Sequence, residues 1–232
     1  MPRTQLEKDR IVSRFSDAYG VDNFLSQSEI MSLIEYFKSE SDKIHKNTGP
    51  ITCSINDRTL FDMLMEKIIN EIGECTSFAS LYFYVERPHI IHNDDLYDFP
   101  STYKAVTLPL EIGYLDQNTG YPSLCIFEQY YLEGPAKFFK GSKDIPTYYN
   151  KQIYDYSDVQ NLSDSGISAD VKMQYLSHLK PSWLEGLTIH KILPWRPGSA
   201  IIFNSAQLHC ASNFKQQGIK YKLGISVFTK KD

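Results

Sequence analysis

The pattern of short apolar runs after Thr76 constrains the fold of this chain more than any other feature. The runs cover residues 78–85, 105–110, 124–131, 187–193, 200–203 and 223–228. Turn residues such as Asn118-Thr119-Gly120 and Arg196-Pro197-Gly198 separate them. Short strands without alternating helices favour an antiparallel sandwich or jelly roll over a doubly wound sheet. The sequence therefore predicts a mainly β protein whose core is an antiparallel sandwich or a jelly roll.

About the first 75 residues are predicted to be helical. Residues 28–37 place apolar side chains on one helical face, at positions 30, 33, 34 and 37. Residues 58–72 repeat this spacing, with Asp57 before them as an N-cap and Gly73 after them as a stop. We therefore expect N-terminal helices followed by the β core.

The chain is expected to form one domain, spanning residues 1–232. This length suits a single substantial domain, and a hydrophobic fraction of 42% provides enough material for a core. Residues 143–183 are polar, rich in tyrosine and weakly patterned. They are predicted to be an insertion between strands that forms one wall of an active site.

Charge and hydropathy exclude several classes of partner. The net charge of −4 provides no global basic field, so no nucleic-acid partner is expected. No stretch approaches the roughly 20 apolar residues of a membrane helix, and the N-terminus lacks the apolar region of a signal peptide. The cysteines at positions 53, 75, 125 and 210 show no C-x-x-C spacing and are expected to be free thiols. The prediction is a cytoplasmic protein that binds no membrane; its oligomeric state is left open.

Three side chains are candidates for a metal site. In His92-Asn93-Asp94 an extended backbone directs the imidazole and the carboxylate to the same side, whereas Asp95 faces the other way. His209 is the best candidate for a third ligand. Two imidazoles and one carboxylate leave three positions open on an octahedral ion, as in non-haem Fe(II) sites. The structural alternative is a histidine that is only hydrogen-bonded on a strand.

Motifs in the C-terminal part extend this interpretation. They are Trp195-Arg196-Pro197-Gly198 before an apolar strand, then Leu208-His209, then Lys222-Leu223-Gly224-Ile225-Ser226-Val227-Phe228. In this order they resemble the C-terminal half of the Fe(II)/2-oxoglutarate-dependent oxygenases, and most of all the phytanoyl-CoA-hydroxylase-like and prolyl-hydroxylase-like branches. The resemblance runs from about residue 21 to the C-terminus. It implies a double-stranded β-helix core, which is the cupin-like form of the jelly roll.

The resemblance also implies a set of cofactors. His92, Asp94 and His209 correspond to the iron ligands, 2-oxoglutarate and O₂ are the cosubstrates, and ascorbate is the expected reductant. The implied activity is a dioxygenase reaction that hydroxylates a small molecule or an amino-acid side chain, with release of succinate and CO₂. Related halogenases lack a carboxylate at the position of Asp94, so its presence favours hydroxylation or desaturation.

The same resemblance assigns the residues that bind 2-oxoglutarate. The basic residue that pairs with the distal carboxylate corresponds to Lys222, where the family more often has arginine. Lys220, two residues earlier on the same strand face, is the second candidate. Because lysine offers a point charge rather than a bidentate fork, a hydroxyl group of Ser226 or Thr107 is expected to assist.

Three further residues are predicted substrate contacts. Tyr84 lies on the strand before the His92 motif, Gln129 is a polar residue in an apolar strand, and Asn213 follows His209. The structural alternative is core packing for Tyr84 and turn capping for Asn213. The tyrosines at 148, 149, 154 and 156 lie in the predicted insertion and are more typical of packing than of recognition.

Two other functions are compatible with the same residues. One is a cupin-type metal-dependent hydrolase or isomerase that uses the same three ligands. The other is a non-catalytic jelly-roll binding module whose histidines bind no metal. Release of succinate from 2-oxoglutarate separates the oxygenase from both, and the metal content separates the other two from each other.

Overall fold

The structure, a computed structural model, describes residues 3–41, 51–95, 102–115, 120–132, 134 and 166–231. The insertion predicted at residues 143–183 is described from residue 166 onward. Its earlier part, including the tyrosines at 148, 149, 154 and 156, lies outside the described residues.

Four α-helices lie in this part of the chain: α1 Gln5–Val12, α2 Gln27–Ser41, α3 Arg58–Ile72 and α4 Ala169–Tyr175. The two helices predicted from apolar periodicity are confirmed as α2 and α3. Asp57 caps α3 as predicted, because its carboxylate accepts a hydrogen bond of 2.9 Å from the Leu60 amide. Gly73 ends α3 with a φ of 82°, a conformation that glycine adopts without strain.

The β core consists of two antiparallel sheets. The strands are β1 Tyr19–Val21, β2 Ile51–Ser54, β3 Thr76–Val85, β4 Thr102–Tyr114, β5 Ser123–Tyr130, β6 Ile189–Pro194, β7 Ala200–Asn204, β8 Gln207–Ala211 and β9 Ile219–Lys230. The large sheet has the order β1-β7-β4-β9-β3-β2, and the small sheet has the order β6-β5-β8. The predicted mainly β, jelly-roll architecture is therefore confirmed.

Three short strands are not predicted by the sequence. β1 and β2 form the two edges of the large sheet, so the first 75 residues contribute strands as well as helices. β8 has five residues and carries the polar side chains of Gln207 and His209, which obscure an apolar strand pattern. These strands depend on pairing with β7, β3 and β5 respectively, and pairing between distant segments leaves little local signal.

The core is arranged in layers on both sides of the sheets. Helices α2 and α3 cover the outer face of the large sheet, where Leu33 and Leu64 pack in one cluster with Tyr82 and Ile225. A second cluster, around Trp195, joins side chains from both sheets. A third cluster joins the small sheet to residues 167–187. Side chains of each sheet therefore pack both against the other sheet and against the segments that cover it.

Two smaller predictions are settled by the described residues. All four cysteines are free, as predicted. Among the helices that the structure describes, none is both long enough and apolar enough to cross a membrane.

Candidate metal centre

The structure brings the three predicted metal ligands together. His92 and Asp94 follow β3, and His209 lies in the middle of β8. The backbones of His92 and His209 pair in an antiparallel bridge, with amide-to-carbonyl hydrogen bonds of 3.0 and 2.8 Å. One ligand atom of each side chain lies within 4.8 Å of the others. The bridge therefore fixes, by backbone pairing, a cluster whose two histidines lie far apart in the sequence.

The carboxylate of Asp94 lies between the two imidazoles. Its Oδ1 is 3.7 Å from Nε2 of His92, and its Oδ2 is 3.4 Å from Nε2 of His209. The two ring centroids are 4.2 Å apart. The Asp94 amide donates a 2.8 Å hydrogen bond to the Ser205 carbonyl, which holds this segment against the loop between β7 and β8.

Backbone carbonyls set the tautomer of both histidines. Nδ1 of His92 is 2.8 Å from the Ile90 carbonyl, and Nδ1 of His209 is 3.0 Å from the Gln207 carbonyl. A carbonyl oxygen only accepts, so each Nδ1 carries the proton and donates it. Nε2 is then the ring nitrogen of each histidine that faces Asp94 and is available to a metal ion, as in metal-ligating histidines.

The neighbouring carboxylate, Asp95, is held in a different environment. It is 1% exposed and forms an ion pair with Arg3. Nη2 of Arg3 lies 3.1 Å from Oδ1 of Asp95, and Nη1 donates to the other carboxylate oxygen. The expectation that Asp95 faces away from the histidines agrees with this pairing.

A cavity of about 480 Å³ borders the three candidate ligands. Most of its wall is apolar, and its polar residues lie around the metal cluster and on strands β2, β4 and β9. The described lining residues are Thr52, Leu81, Tyr82, Phe83, Val85, His89, His92, Asn93, Asp94, Asp95, Thr107, Leu124, Trp195, His209, Ala211, Lys222, Ser226 and Phe228. The cavity is therefore large enough for a small organic molecule.

Lys222 lies in this cavity, whereas Lys220 does not. The side chain of Lys222 is 3% exposed, and its Nζ lies 4.7 Å from the Trp195 ring centroid and 5.2 Å from that of Phe214. Among the described residues, no carboxylate pairs with this ammonium. Burial lowers the pKa of Lys222 to about 8, and the nearby Cys125 and Cys210 oppose that shift. A buried cation facing a cavity without an anionic partner is a candidate anion-binding group.

The predicted hydroxyl groups lie in the same cavity. Thr107 on β4 and Ser226 on β9 are direct cross-strand partners, and both line the wall. Gly224 lies between Lys222 and Ser226 on the same strand face. A Cβ there would come within 2.8 Å of Phe83 and of Trp195, so a side chain would collide with these rings.

The other predicted residues lie apart from the cavity lining. Lys220 is exposed, and its carbonyl accepts a hydrogen bond of 2.9 Å from Lys215. Tyr84 packs against Tyr221 at 4.9 Å and faces the helices, because the strand alternation turns its neighbour Phe83 inward instead.

Gln129 and Asn213 have structural partners. Gln129 donates to Thr188 Oγ1 at 2.8 Å and accepts from the Thr188 amide at 3.0 Å, which bridges an irregular part of the β5–β6 pairing. The backbone amide of Asn213 donates to the Tyr175 carbonyl at 2.7 Å, and its side-chain Nδ2 donates to Ser177 Oγ at 2.9 Å. Both side chains therefore stabilise connections outside the cavity.

Several residues that shape the site have no local sequence signal. The carbonyls of Ile90 and Gln207 orient the histidines, and any residue type offers a carbonyl. Asn93 is buried and donates to the carbonyls of Tyr131 and Gly134 at 3.1 and 3.0 Å. His89 stacks on His92 with ring centroids 4.2 Å apart. Its position three residues before His92 is the sequence signal that could have placed it near the site.

Comparison with known structures agrees with the architecture. HygX from Streptomyces hygroscopicus, in a structure with nickel and 2-oxoglutarate bound, matches with a TM-score of 0.51 and 10% identity, covering 98% of this chain and 87% of HygX. This chain therefore has the fold of the Fe(II)/2-oxoglutarate-dependent oxygenases, as its motifs predict.

Two prolyl hydroxylases are among the other matches. A Pseudomonas putida prolyl-4-hydroxylase has a TM-score of 0.49 and 11% identity, over 93% of this chain and 92% of its own. A viral collagen prolyl hydroxylase from Paramecium Bursaria Chlorella virus-1 has a TM-score of 0.48 and 11% identity, over 94% and 97%. No protein-family model and no curated protein matches the sequence.

Proposed function

We propose that this protein is a non-haem Fe(II)/2-oxoglutarate-dependent dioxygenase that hydroxylates a small molecule or an amino-acid side chain. The observation that carries the proposal is that the His92, Asp94 and His209 cluster shares one cavity with the buried ammonium of Lys222. That combination provides a metal site and an anion site within one cavity.

The donor atoms of the cluster fit Fe(II). Two imidazole nitrogens and one carboxylate oxygen suit this ion and leave coordination positions open. The three ligand atoms lie within 4.8 Å of one another, close enough for one ion to bind all of them. When bound, Fe(II) with 2-oxoglutarate and O₂ converts a substrate C–H bond to C–OH, while 2-oxoglutarate becomes succinate and CO₂.

Lys222 would bind the distal carboxylate of 2-oxoglutarate. Its ammonium contacts aromatic faces rather than an acidic side chain, so a dicarboxylate would provide the missing counter-charge. Thr107 and Ser226, opposite each other on the adjacent strands, would donate hydroxyl hydrogen bonds to the same anion. HygX, which has the same fold, is described with 2-oxoglutarate bound, in keeping with this assignment.

The substrate would lie against the apolar part of the cavity wall. Leu81, Phe83 and Val85 form this part, with Thr52 from the edge strand and His89 as polar neighbours. Lys222 is the only lysine or arginine among the described lining residues. A second anionic group is therefore not favoured, and a neutral substrate with an apolar reacting portion is the best match.

Succinate formation tests the proposal directly. Purified protein supplied with Fe(II), 2-oxoglutarate and ascorbate in air is expected to release succinate, and His209→Ala should abolish this release. His190→Ala is the matched control, since His190 lies on β6 beside Asp17 rather than in the cavity lining.

The same assay distinguishes the other two functions. A cupin-type hydrolase or isomerase would bind metal through the same three residues but release no succinate. A binding module would do neither, and its metal content would not differ between the wild type and His209→Ala. Either result would refute the oxygenase proposal.

A further inference from the structure

Two adjacent carboxylates at the metal centre have different partners. Asp94 lies between the imidazoles of His92 and His209. Asp95 is buried and is bound by both terminal nitrogens of the Arg3 guanidinium. Nη1 of Arg3 also donates a 2.9 Å hydrogen bond to the Leu132 carbonyl. One carboxylate therefore faces the candidate metal site, and the other is engaged by the N-terminal segment.

Helix α1 holds Arg3 in this position. Thr4 and Glu7 form a capping box at the start of the helix, with a 2.7 Å hydrogen bond from the Thr4 amide to Glu7 Oε2. Further along the helix, Ile11 packs in a cluster with Leu132, the residue whose carbonyl binds Arg3. The N-terminal segment is thus attached next to the segment that carries the metal ligands.

Asp94 and Asp95 are consecutive residues of an extended segment, so their side chains point to opposite sides. The attachment of the N-terminal segment to Asp95 therefore affects which carboxylate faces the metal. A shift of one residue would exchange the sides of Asp94 and Asp95, and both side chains are carboxylates that suit the same ions. A buried carboxylate without a counter-charge is strongly unfavourable. Without Arg3, Asp95 would lose the guanidinium that binds both of its carboxylate oxygens, and turning toward a bound metal ion would compensate for that loss.

We propose that Arg3 is a positioning residue of the metal centre. Its bidentate pair with Asp95 keeps that carboxylate away from the metal and fixes Asp94 as the ligand. This inference rests on the metal binding of the proposed function. It goes beyond that function by assigning a role to the N-terminal segment, which contributes no ligand itself.

Cobalt(II) binding provides a test that needs no substrate and no turnover. Calorimetry and the visible absorption of bound Co(II) would be measured for wild type, Arg3→Met, Asp95→Asn and the double variant Arg3→Met/Asp95→Asn. Arg3→Met should weaken Co(II) binding by about 10–100-fold, the usual effect of removing a residue that orients metal ligands. The double variant should return to within about threefold of wild type, because the neutral amide introduced by Asp95→Asn neither needs a counter-charge nor competes as an anionic ligand.

Arg10→Met serves as the matched control, since Arg10 is an exposed arginine on helix α1, which Arg3 directly precedes, and it should bind Co(II) like wild type. Circular dichroism would confirm that each variant is folded at the measuring temperature. Unchanged Co(II) affinity in Arg3→Met would overturn the inference. If Arg3→Met does not fold, the double variant decides the question, and an affinity about tenfold or more below wild type would refute it. Failure of the wild type to bind Co(II) would instead refute the proposed function.

Discussion

Lys104 and Lys222 lie on neighbouring strands of the same sheet, β4 and β9, and both are almost fully buried, with 2% and 3% exposure. Burial lowers the pKa of each to about 8. Their partners differ. The Lys104 ammonium donates to Ser16 Oγ and Asn204 Oδ1, both at 2.5 Å, whereas Lys222 contacts the rings of Trp195 and Phe214. The two lysines are thus equally buried, but Lys104 has a structural role and Lys222 is a candidate anion-binding group.

The adjacent aspartates repeat this contrast. Asp95 is paired within the protein by Arg3, while Asp94 lies between Nε2 of His92 and Nε2 of His209 and borders the cavity. A buried charge that the fold itself neutralises contributes to stability or positioning. One that the fold leaves facing a cavity is suited to bind a ligand. For the two lysines, burial alone does not distinguish the two roles, and the contacting groups do.

The comparison of the aspartates gives the largest expected effect. Asp94→Ala should reduce succinate formation to background and strongly weaken Fe(II) binding, because the only carboxylate of the cluster is lost. Asp95→Asn should retain most of the activity. Succinate assays and Fe(II) titration of both variants would check this, and greater damage from Asp95→Asn would mean that the ligand assignment is wrong.

Replacement of Lys222 should chiefly affect the cosubstrate. Loss of a charged partner from a buried carboxylate typically costs about 3–5 kcal/mol. The apparent requirement of Lys222→Ala for 2-oxoglutarate should therefore rise by roughly two to three orders of magnitude, with little change in Fe(II) affinity. Lys222→Arg should be milder, provided that the cavity holds the longer side chain.

Titration of 2-oxoglutarate against each variant would measure this effect. The exposed Lys220 offers the control, and Lys220→Ala should behave like wild type. If Lys220→Ala lost the 2-oxoglutarate dependence and Lys222→Ala kept it, the assignment of the anion site to Lys222 would be refuted.

Replacement of Lys104 should lower the stability of the protein and leave cosubstrate binding unchanged. Lys104→Met leaves the buried Asn204 Oδ1 without its main donor, and an unsatisfied buried acceptor costs about 1–3 kcal/mol. The free energy of unfolding should fall by that amount, while the affinity for 2-oxoglutarate stays unchanged. Lys222→Met should leave stability equal or higher, because it removes a buried charge that has no internal carboxylate partner among the described residues. Urea denaturation of both variants would measure these opposite changes in the free energy of unfolding.

The smallest effect concerns pH. Because the pKa of Lys222 is lowered to about 8, the side chain is charged below that pH and increasingly neutral above it. The affinity for 2-oxoglutarate should therefore decline above about pH 8, approaching about tenfold per pH unit. Lys222→Arg should remove this decline, since arginine stays charged, and Lys104→Met should keep it. A flat profile in the wild type would contradict either the lowered pKa of Lys222 or its contact with the anion, and the Lys222→Ala titration would distinguish the two.

Much of the fold follows from local sequence patterns. The periodicity of α2 and α3, the Asp57 cap and the apolar runs of the main strands each depend on residues close together in the chain. The spacing of His92 and Asp94 likewise predicts that both face one side, and the structure agrees. The C-terminal motif favours Lys222 over Lys220, and the cavity lining includes Lys222 alone of the two.

The sequence by itself determined helices α2 and α3, the apolar strands and the side chains that offer metal or anion chemistry, because these properties depend on neighbouring residues and on side-chain type. Only the tertiary structure decided how those side chains are used. Pairing between distant strands brought His209 beside His92, a backbone carbonyl fixed the tautomer of each histidine, and Arg3 reached Asp95 across 92 positions. Such contacts join residues that are distant in the chain, so no local pattern records them.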